Sequence, residues 1–250
     1  MKIHLEKITT KSKALFLAYD QGLEHGPSSD FNDKNVDPLY ILDIAKRGKF
    51  NAVVFQKGIA EKYLKEIKKS AVPLLLKLNG KTNLFKGEPM APQLCSVKEA
   101  LALGAAAVGY TIYIGSLHES EMLREFEIIE REAHEKGVPV VAWIYPRGQA
   151  VKNDTNREMV SYAARTGLEI GADIVKLRYG GNADDLQWAV EAAGRCKVVV
   201  AGGMKTGEKE FLQHAREIMQ AGAAGIAVGR NVWQAEKPME LARKLREIVF

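Results

Sequence analysis

Long apolar runs are missing from this 250-residue chain. None approaches the roughly 20 residues that a bilayer-spanning helix needs. The opening MKIHLEKITTK has no apolar stretch ending in a small-residue cleavage site, so no signal peptide is expected. Cysteine is scarce: Cys95 and Cys196 are too far apart for C-x-x-C, which excludes a zinc ribbon and a dithiol redox motif. No two of His4, His25, His118, His134 and His214 have H-E-x-x-H or comparable ligand spacing, so no metal site and no cofactor are expected. A G-x-S-x-G nucleophile elbow is also absent. Basic blocks with interleaved aromatics are lacking despite a net charge of +5. Lysines and arginines instead alternate with acids, as in LREFEIIEREAHEK (Leu123 to Lys136), the pattern of a solvated helical face. Nucleic acid and membrane are therefore not expected partners; a mild positive excess suits an anionic small molecule. The expectation is a soluble cytoplasmic protein.

What the chain does contain is a repeated alternation of short β-branched runs and longer amphipathic segments. Strands are predicted at Ala14 to Asp20, Ala52 to Gln56, Pro73 to Asn79 and Ala106 to Ile112. Four more follow at Pro139 to Tyr145, Ala172 to Leu177, Val198 to Gly202 and Gly225 to Gly229. Helices are predicted between them, at Pro38 to Arg47, Ala60 to Lys69, Val97 to Leu103 and Glu119 to Lys136. The second half adds Asn156 to Ile170, Ala183 to Ala193, Glu208 to Ala221 and Pro238 to Ile248. Continuous apolar strands separated by helices imply parallel pairing with helices covering the sheet. Eight such units predict an α/β fold, a single (β/α)8 TIM barrel over residues 1–250. A doubly wound open sheet would place G-x-G-x-x-G after the first strand, where DQGLEHGP stands instead. Gly104, Gly137, Gly171 and Gly222 fall where helices should stop. The longest irregular stretches, Gln21 to Val36, Gly80 to Ser96 and Arg147 to Asn153, follow strands one, three and five.

In such a barrel, catalytic groups come from the C-terminal ends of the strands and the loops beyond them. The first strand ends in Asp20. The third carries Lys77 and Asn79, two apart and so on one face. The fifth carries Trp143 and Tyr145 with Arg147 beyond, and the sixth carries Lys176 with Arg178 on the same side if the strand persists. Burial disfavours an ammonium, so a pocket lysine gains nucleophilic amine at neutral pH. Lys176 is the first candidate for that role; Lys77 is either its rival or the cation that keeps a carboxylate ionised. The last two strands differ in character. VVVAGGMKT (Val198 to Thr206) and GIAVGRNVW (Gly225 to Trp233) end in glycines followed by short helical turns, which let backbone amides approach an anion. Loops after strands seven and eight are the recurring phosphate site of this fold, and Arg230 has the planar fork to clamp a phosphate. The expected substrate is phosphorylated.

A pocket lysine, a tyrosine, an aspartate and a phosphate cradle together suggest carbonyl chemistry through a Schiff base. Lys176 would condense with a ketone, Tyr145 would move the proton at the substrate oxygen with its pKa adjusted by cations such as Arg147, and Asp20 would orient the lysine or handle protons. LAYDQGLEHGP (Leu17 to Pro27), WIYPRG (Trp143 to Gly148), DIVKLRYGG (Asp173 to Gly181), AGGMKT (Ala201 to Thr206) and AVGRNVWQ (Ala227 to Gln234) carry a resemblance that spans nearly the whole chain in order. The chain resembles the archaeal-type class I fructose-bisphosphate aldolases. The resemblance implies Lys176 as the Schiff-base residue, Tyr145 as proton donor and acceptor, and Asp20 as assistant. It implies substrate contacts at Gln21, His25, Trp143 and Arg147, and phosphate contacts at Gly202, Gly203, Gly229 and Arg230. It also implies glycolytic or gluconeogenic use and a homo-oligomer. Three departures stand out: Gln21 where many relatives have histidine, Leu177 and Arg178 where smaller or hydroxyl residues are common, and Met204 where proline is common. Arg178 would bind a second phosphate, depress the Lys176 pKa by like-charge repulsion, or mark a different substrate. Two readings compete with the aldolase. One is the sister transaldol-type synthase making a 2-amino-3,7-dideoxy-heptulosonate, and the other a sugar-phosphate isomerase without a covalent intermediate.

Overall fold

In the computed structural model, which describes residues 2–26, 30–84 and 86–250, each of the eight apolar runs forms a strand. The strands are β1 (Ala14–Ala18), β2 (Ala52–Gln56), β3 (Leu74–Lys77), β4 (Ala107–Ile114), β5 (Val140–Pro146), β6 (Ile174–Leu177), β7 (Lys197–Ala201) and β8 (Gly225–Val228). Each pairs in parallel with its sequence neighbours, and β8 returns to β1 with Ala227 opposite Phe16, closing the barrel. Closure leaves no open sheet edge.

Helices cover the outside. After β1 come α1 (Gln21–His25) and α2 (Pro38–Arg47); after β2, α3 (Lys57–Lys62) and α4 (Leu64–Ser70); after β3, α5 (Val97–Ala102); after β4, α6 (Glu119–His134). The second half supplies α7 (Arg157–Glu169), α8 (Ala183–Ala192) and α9 (Glu208–Gln220), then α10 (Arg230–Trp233) and α11 (Pro238–Val249) after β8. Local chemistry starts and stops them. Asp37 accepts from the Leu39 amide with Pro38 in the first turn, Ser96 and Glu99 form a reciprocal capping box, and Asn156 and Asn182 cap α7 and α8. Gly104, Gly137, Gly171 and Gly222 all have positive φ, as expected of helix-stop glycines.

Two sets of apolar side chains result from strand alternation. Outward residues such as Leu15, Val53, Leu76, Ile112, Ile144 and Val175 pack under the helices. Inward residues such as Phe16, Val54, Leu75, Val141, Ile174 and Val199 fill the barrel. Ile8, fully buried, joins that interior set with Leu5 packed beside it. The largest inward side chain is Trp143, and it fits because Gly109 lies opposite: a Cβ at Gly109 would lie 2.0 Å from the indole Cζ3.

The structure departs from expectation in several places, beginning with the first strand, which ends at Ala18 instead of Asp20. The predicted helix from Ala60 to Lys69 is two helices, α3 and α4, because Tyr63 leaves helical dihedrals while its ring packs on the core. The loop predicted from Gln21 begins with α1, one and a half turns long, which no local periodicity announced. The predicted third strand ends at Lys77 instead of Asn79. Both cysteines are free and buried, and burial pushes their thiols up, to about 11 for Cys95 and about 12 for Cys196. Among the described residues no helix is long and apolar enough to cross a membrane.

Candidate active site

The C-terminal ends of the strands surround an open-mouthed cavity of about 190 Å³. Asp20, Gln21, His25, Lys77, Trp143, Tyr145, Arg147, Lys176, Arg178, Gly202, Gly203, Gly229 and Arg230 all line it. Strand parity explains the convergence. Ile174 points into the barrel interior, so Lys176 two residues later points into its mouth; Leu75 and Lys77 repeat the relation on β3, and Val141, Trp143 and Tyr145 on β5.

Two buried lysines face this cavity, Lys176 at 7% exposure and Lys77 at 6%. Their Nζ atoms lie 5.2 and 5.1 Å from the centre of the Trp143 ring, so both ammonium groups would share one indole. Among the described residues only Lys77 has a carboxylate in reach: its Nζ is 3.5 Å from Asp20 Oδ2. Among the described residues nothing accepts a hydrogen bond from Lys176. Burial lowers the pKa of both lysines against the opposing charges of Asp20 and Glu24, and Lys176 lowers Lys77 further. Lys176 is thus a desolvated, unpaired amine, the state in which a lysine is nucleophilic. Trp143 is 2% exposed, and its indole N–H has no acceptor among the described residues.

Around the lysines stands a ring of charge. The Tyr145 phenol is pushed above its ordinary pKa by burial, then by Asp20 and Glu24; Arg147 and Arg178 oppose that shift without reversing it. The guanidinium of Arg147 lies 5.6 Å from the Tyr145 ring centre and its Nη1 is 3.4 Å from Glu24 Oε1. Arg178 is paired with Asp154 from the loop after β5.

The β7 and β8 ends differ again. Met204 and Lys205 lie in an irregular loop before α9, so the short helix expected after strand seven is absent; the one expected after strand eight is α10. The Gly202 N–H already donates to the Ala227 carbonyl at 2.9 Å. The amides of Gly203 and Gly229 have no protein acceptor among the described residues, which leaves them available to an anion. Arg230 reaches the same place, its Nη1 held 3.2 Å from Asp30 Oδ1. Asp30 also faces His25, with Oδ2 3.0 Å from Nδ1. Among the described residues no cluster of three or more His, Cys, Asp or Glu side chains is placed to hold a metal ion.

The DeoC/LacD family of aldolases matches this chain over residues 14–235. The chain belongs to that family. It is 50% identical to the class 1 fructose-bisphosphate aldolase of Thermoproteus tenax over 243 residues, 96% of this chain and 90% of that protein. Identity to the class 1 fructose-bisphosphate aldolase of Halobacterium salinarum is 45% over 245 residues, 97% of this chain and 92% of that one. A solved archaeal fructose-1,6-bisphosphate aldolase, its catalytic lysine covalently bound to the carbinolamine intermediate of the substrate, superposes with a TM-score of 0.93. That structure shares 48% identity, covering 98% of this chain and 97% of the other.

Some features of this aldolase-family mouth were not anticipated from sequence. Asn79 does not line it. With β3 ending at Lys77, the Asn79 side chain turns away and donates to the Ala91 and Thr111 carbonyls at 2.8 Å, bracing the loop after β3. Glu24 and Thr111 do line it. Glu24 lies one helical turn beyond Asp20, a spacing readable only once α1 is recognised as a helix. Asp30 carried no local signal, because its partners are 200 residues away at Arg230 and five away at His25. Pro27, which closes the first quoted motif, lies outside the described residues.

Proposed function

We propose that this protein is a class I fructose-bisphosphate aldolase, cleaving fructose 1,6-bisphosphate reversibly to dihydroxyacetone phosphate and glyceraldehyde 3-phosphate through an imine on Lys176. The observation that carries the reading is Lys176 itself: a desolvated amine without a carboxylate partner, facing a cavity that also holds Tyr145, Asp20 and unspent backbone amides. The close class 1 aldolase relatives support it.

The 1-phosphate of the sugar is held by the Gly203 and Gly229 amides and Arg230, beside Gly202, which brings C2 to the lysine and makes imine formation effectively intramolecular. The neutral Lys176 amine adds to the C2 ketone. The carbinolamine hydroxyl takes the Tyr145 proton and leaves as water, giving the iminium. The resulting phenolate is a strong base, because burial and the nearby acids raise its pKa. It removes the C4 hydroxyl proton as the C3–C4 bond breaks, and that electron pair moves into the iminium as an enamine. Glyceraldehyde 3-phosphate departs, Tyr145 returns the proton to C3, and water releases the second product from Lys176.

Asp20 keeps Lys77 charged and assists proton movement during carbinolamine formation and breakdown. Trp143 provides the wall, while Gln21 and His25 contact the sugar. Arg147, Arg178 and Lys77 answer the negative charge of the distal end. No metal or cofactor takes part in this scheme. The same reading has the barrel working as one domain over residues 1–250, in the cytoplasm, as a homo-oligomer, at the glycolytic and gluconeogenic step between hexose bisphosphate and triose phosphates.

The test is cleavage of fructose 1,6-bisphosphate by the purified protein in the presence of a chelator, with borohydride trapping of dihydroxyacetone phosphate and mass spectrometry of the adduct. Turnover that survives the chelator and an adduct on Lys176 are expected. An adduct on Lys77, no adduct, or turnover abolished by the chelator would sink the assignment.

A further inference from the structure

One buried amide joins the two halves of the phosphate cradle. Asn231, in α10, is 5% exposed and directs its whole side chain into the loop after β7. Its Nδ2 donates to the carbonyls of Gly202 at 2.8 Å and Met204 at 3.0 Å, and its Oδ1 accepts from the Thr206 amide at 3.0 Å. All of the side chain's strongest polar capacity is therefore spent on one loop of five residues. The partners are otherwise poorly held: Met204 is 74% exposed and the loop has no regular structure.

The geometry matters because of how a trans peptide is built. The Gly202 carbonyl and the Gly203 N–H belong to the same planar unit and point in opposite directions. Fixing the carbonyl on Asn231 therefore fixes the direction of the Gly203 N–H, the amide on this side of the cradle with no protein acceptor. Gly203 itself has φ +71, and a glycine left to itself populates many conformations. Nor does the Gly202 N–H help, since it is bonded to Ala227. Because Asn231 follows Arg230 directly, the same residue ties the guanidinium's backbone to the amide across from it.

We infer that Asn231 is a positioning residue for the phosphate end of the substrate: it holds the Gly203 amide aimed at the anion and fixes its distance from Arg230. This rests on the aldolase reading and deepens it, since Asn231 neither touches the reacting carbon nor reaches Lys176. Its loss should weaken the grip on a phosphorylated ketone and leave imine formation with an unphosphorylated one alone.

Borohydride trapping at Lys176 separates the two, with dihydroxyacetone phosphate and dihydroxyacetone titrated in parallel. Asn231→Ala removes all three hydrogen bonds. Asn231→Asp keeps the shape and the acceptor for Thr206, loses the two donated bonds and adds a negative charge, while the dihydroxyacetone curve guards against a variant that merely folds poorly. The half-saturating dihydroxyacetone phosphate concentration should rise roughly tenfold in Asn231→Ala and at least as much in Asn231→Asp, while the dihydroxyacetone curve stays in place. If both curves move together, or neither moves, Asn231 only supports the fold and the positioning role is overturned while the aldolase reading stands. If the wild-type protein traps neither ketone at Lys176, the aldolase reading fails and the positioning role falls with it.

Discussion

Asp173 and Lys176 bracket the same short strand, β6, and the barrel treats their charges in opposite ways. At the lower end, Asp173 Oδ2 accepts from the Val140 amide at 2.8 Å and lies 2.9 Å from His134 Nε2, while His134 Nδ1 sits 2.6 Å from Glu130. At the upper end, Lys176 is more deeply buried and has no hydrogen-bond partner among the described residues, only the face of Trp143. The lower cluster satisfies its polar atoms, so it holds β5, β6 and α6 together and leaves nothing to react. The upper one leaves a desolvated group uncompensated, at a cost in stability. Proteins keep such a group where its reactivity is used.

The largest expected effect breaks the upper end. Lys176→Met should lower fructose bisphosphate cleavage by more than about a thousandfold and abolish the trapped adduct. It should at the same time raise stability by about 1 kcal/mol, because an apolar chain replaces a desolvated amine. The sign of its pH dependence follows from the lowered pKa of Lys176. The penalty of burying the lysine is complete below its folded pKa and fades as pH rises toward the ordinary lysine value. The stability gained by the substitution should therefore be largest at acidic pH and shrink as pH rises; denaturant melts across pH measure it. A Lys176→Met protein less stable than wild type at neutral pH would contradict the comparison.

Tyr145→Phe comes next. It should cost about 10²–10⁴ in kcat through loss of the proton relay, yet leave Lys176 able to form a trappable adduct in single-turnover experiments. At the lower end, Asp173→Ala should do the reverse of Lys176→Met. It leaves the Val140 amide and His134 Nε2 unpartnered, costing on the order of 1–3 kcal/mol and several degrees of Tm, with KM for the bisphosphate unchanged. A kinetic defect without a stability loss would show that the two ends are not separable.

The smallest effect sharpens the electrostatics. Glu24 holds up the pKa of both Lys176 and Tyr145. Glu24→Gln should therefore move the acid limb of the imine-forming rate to lower pH, by roughly a fraction of a unit through the cavity's intermediate dielectric. A shift to higher pH would reverse the assigned sign.

Much of the site could be read in the sequence because it depends on local rules. Alternation along a strand places Lys176 with Ile174, Lys77 with Leu75, and Tyr145 with Trp143 and Val141 on the inner face, whatever the rest of the chain does. Glycines at the ends of strands seven and eight likewise announced where an anion could approach. The closed barrel follows from eight repeats of the same alternation.

Tertiary structure decided what those side chains have as neighbours. Strand parity cannot say that β3 stops at Lys77, so it placed Asn79 in the mouth when its amide is in fact spent on the loop carbonyls. It cannot say that Asp20 pairs with Lys77 and leaves Lys176 alone, that the Gly202 amide is already bonded, or that Asp30 meets Arg230 from the other end of the chain. Periodicity is a property of a few consecutive residues, set by backbone geometry. Partnership and desolvation belong to segments brought together only when the barrel closes, and they separate a reactive lysine from an ordinary one.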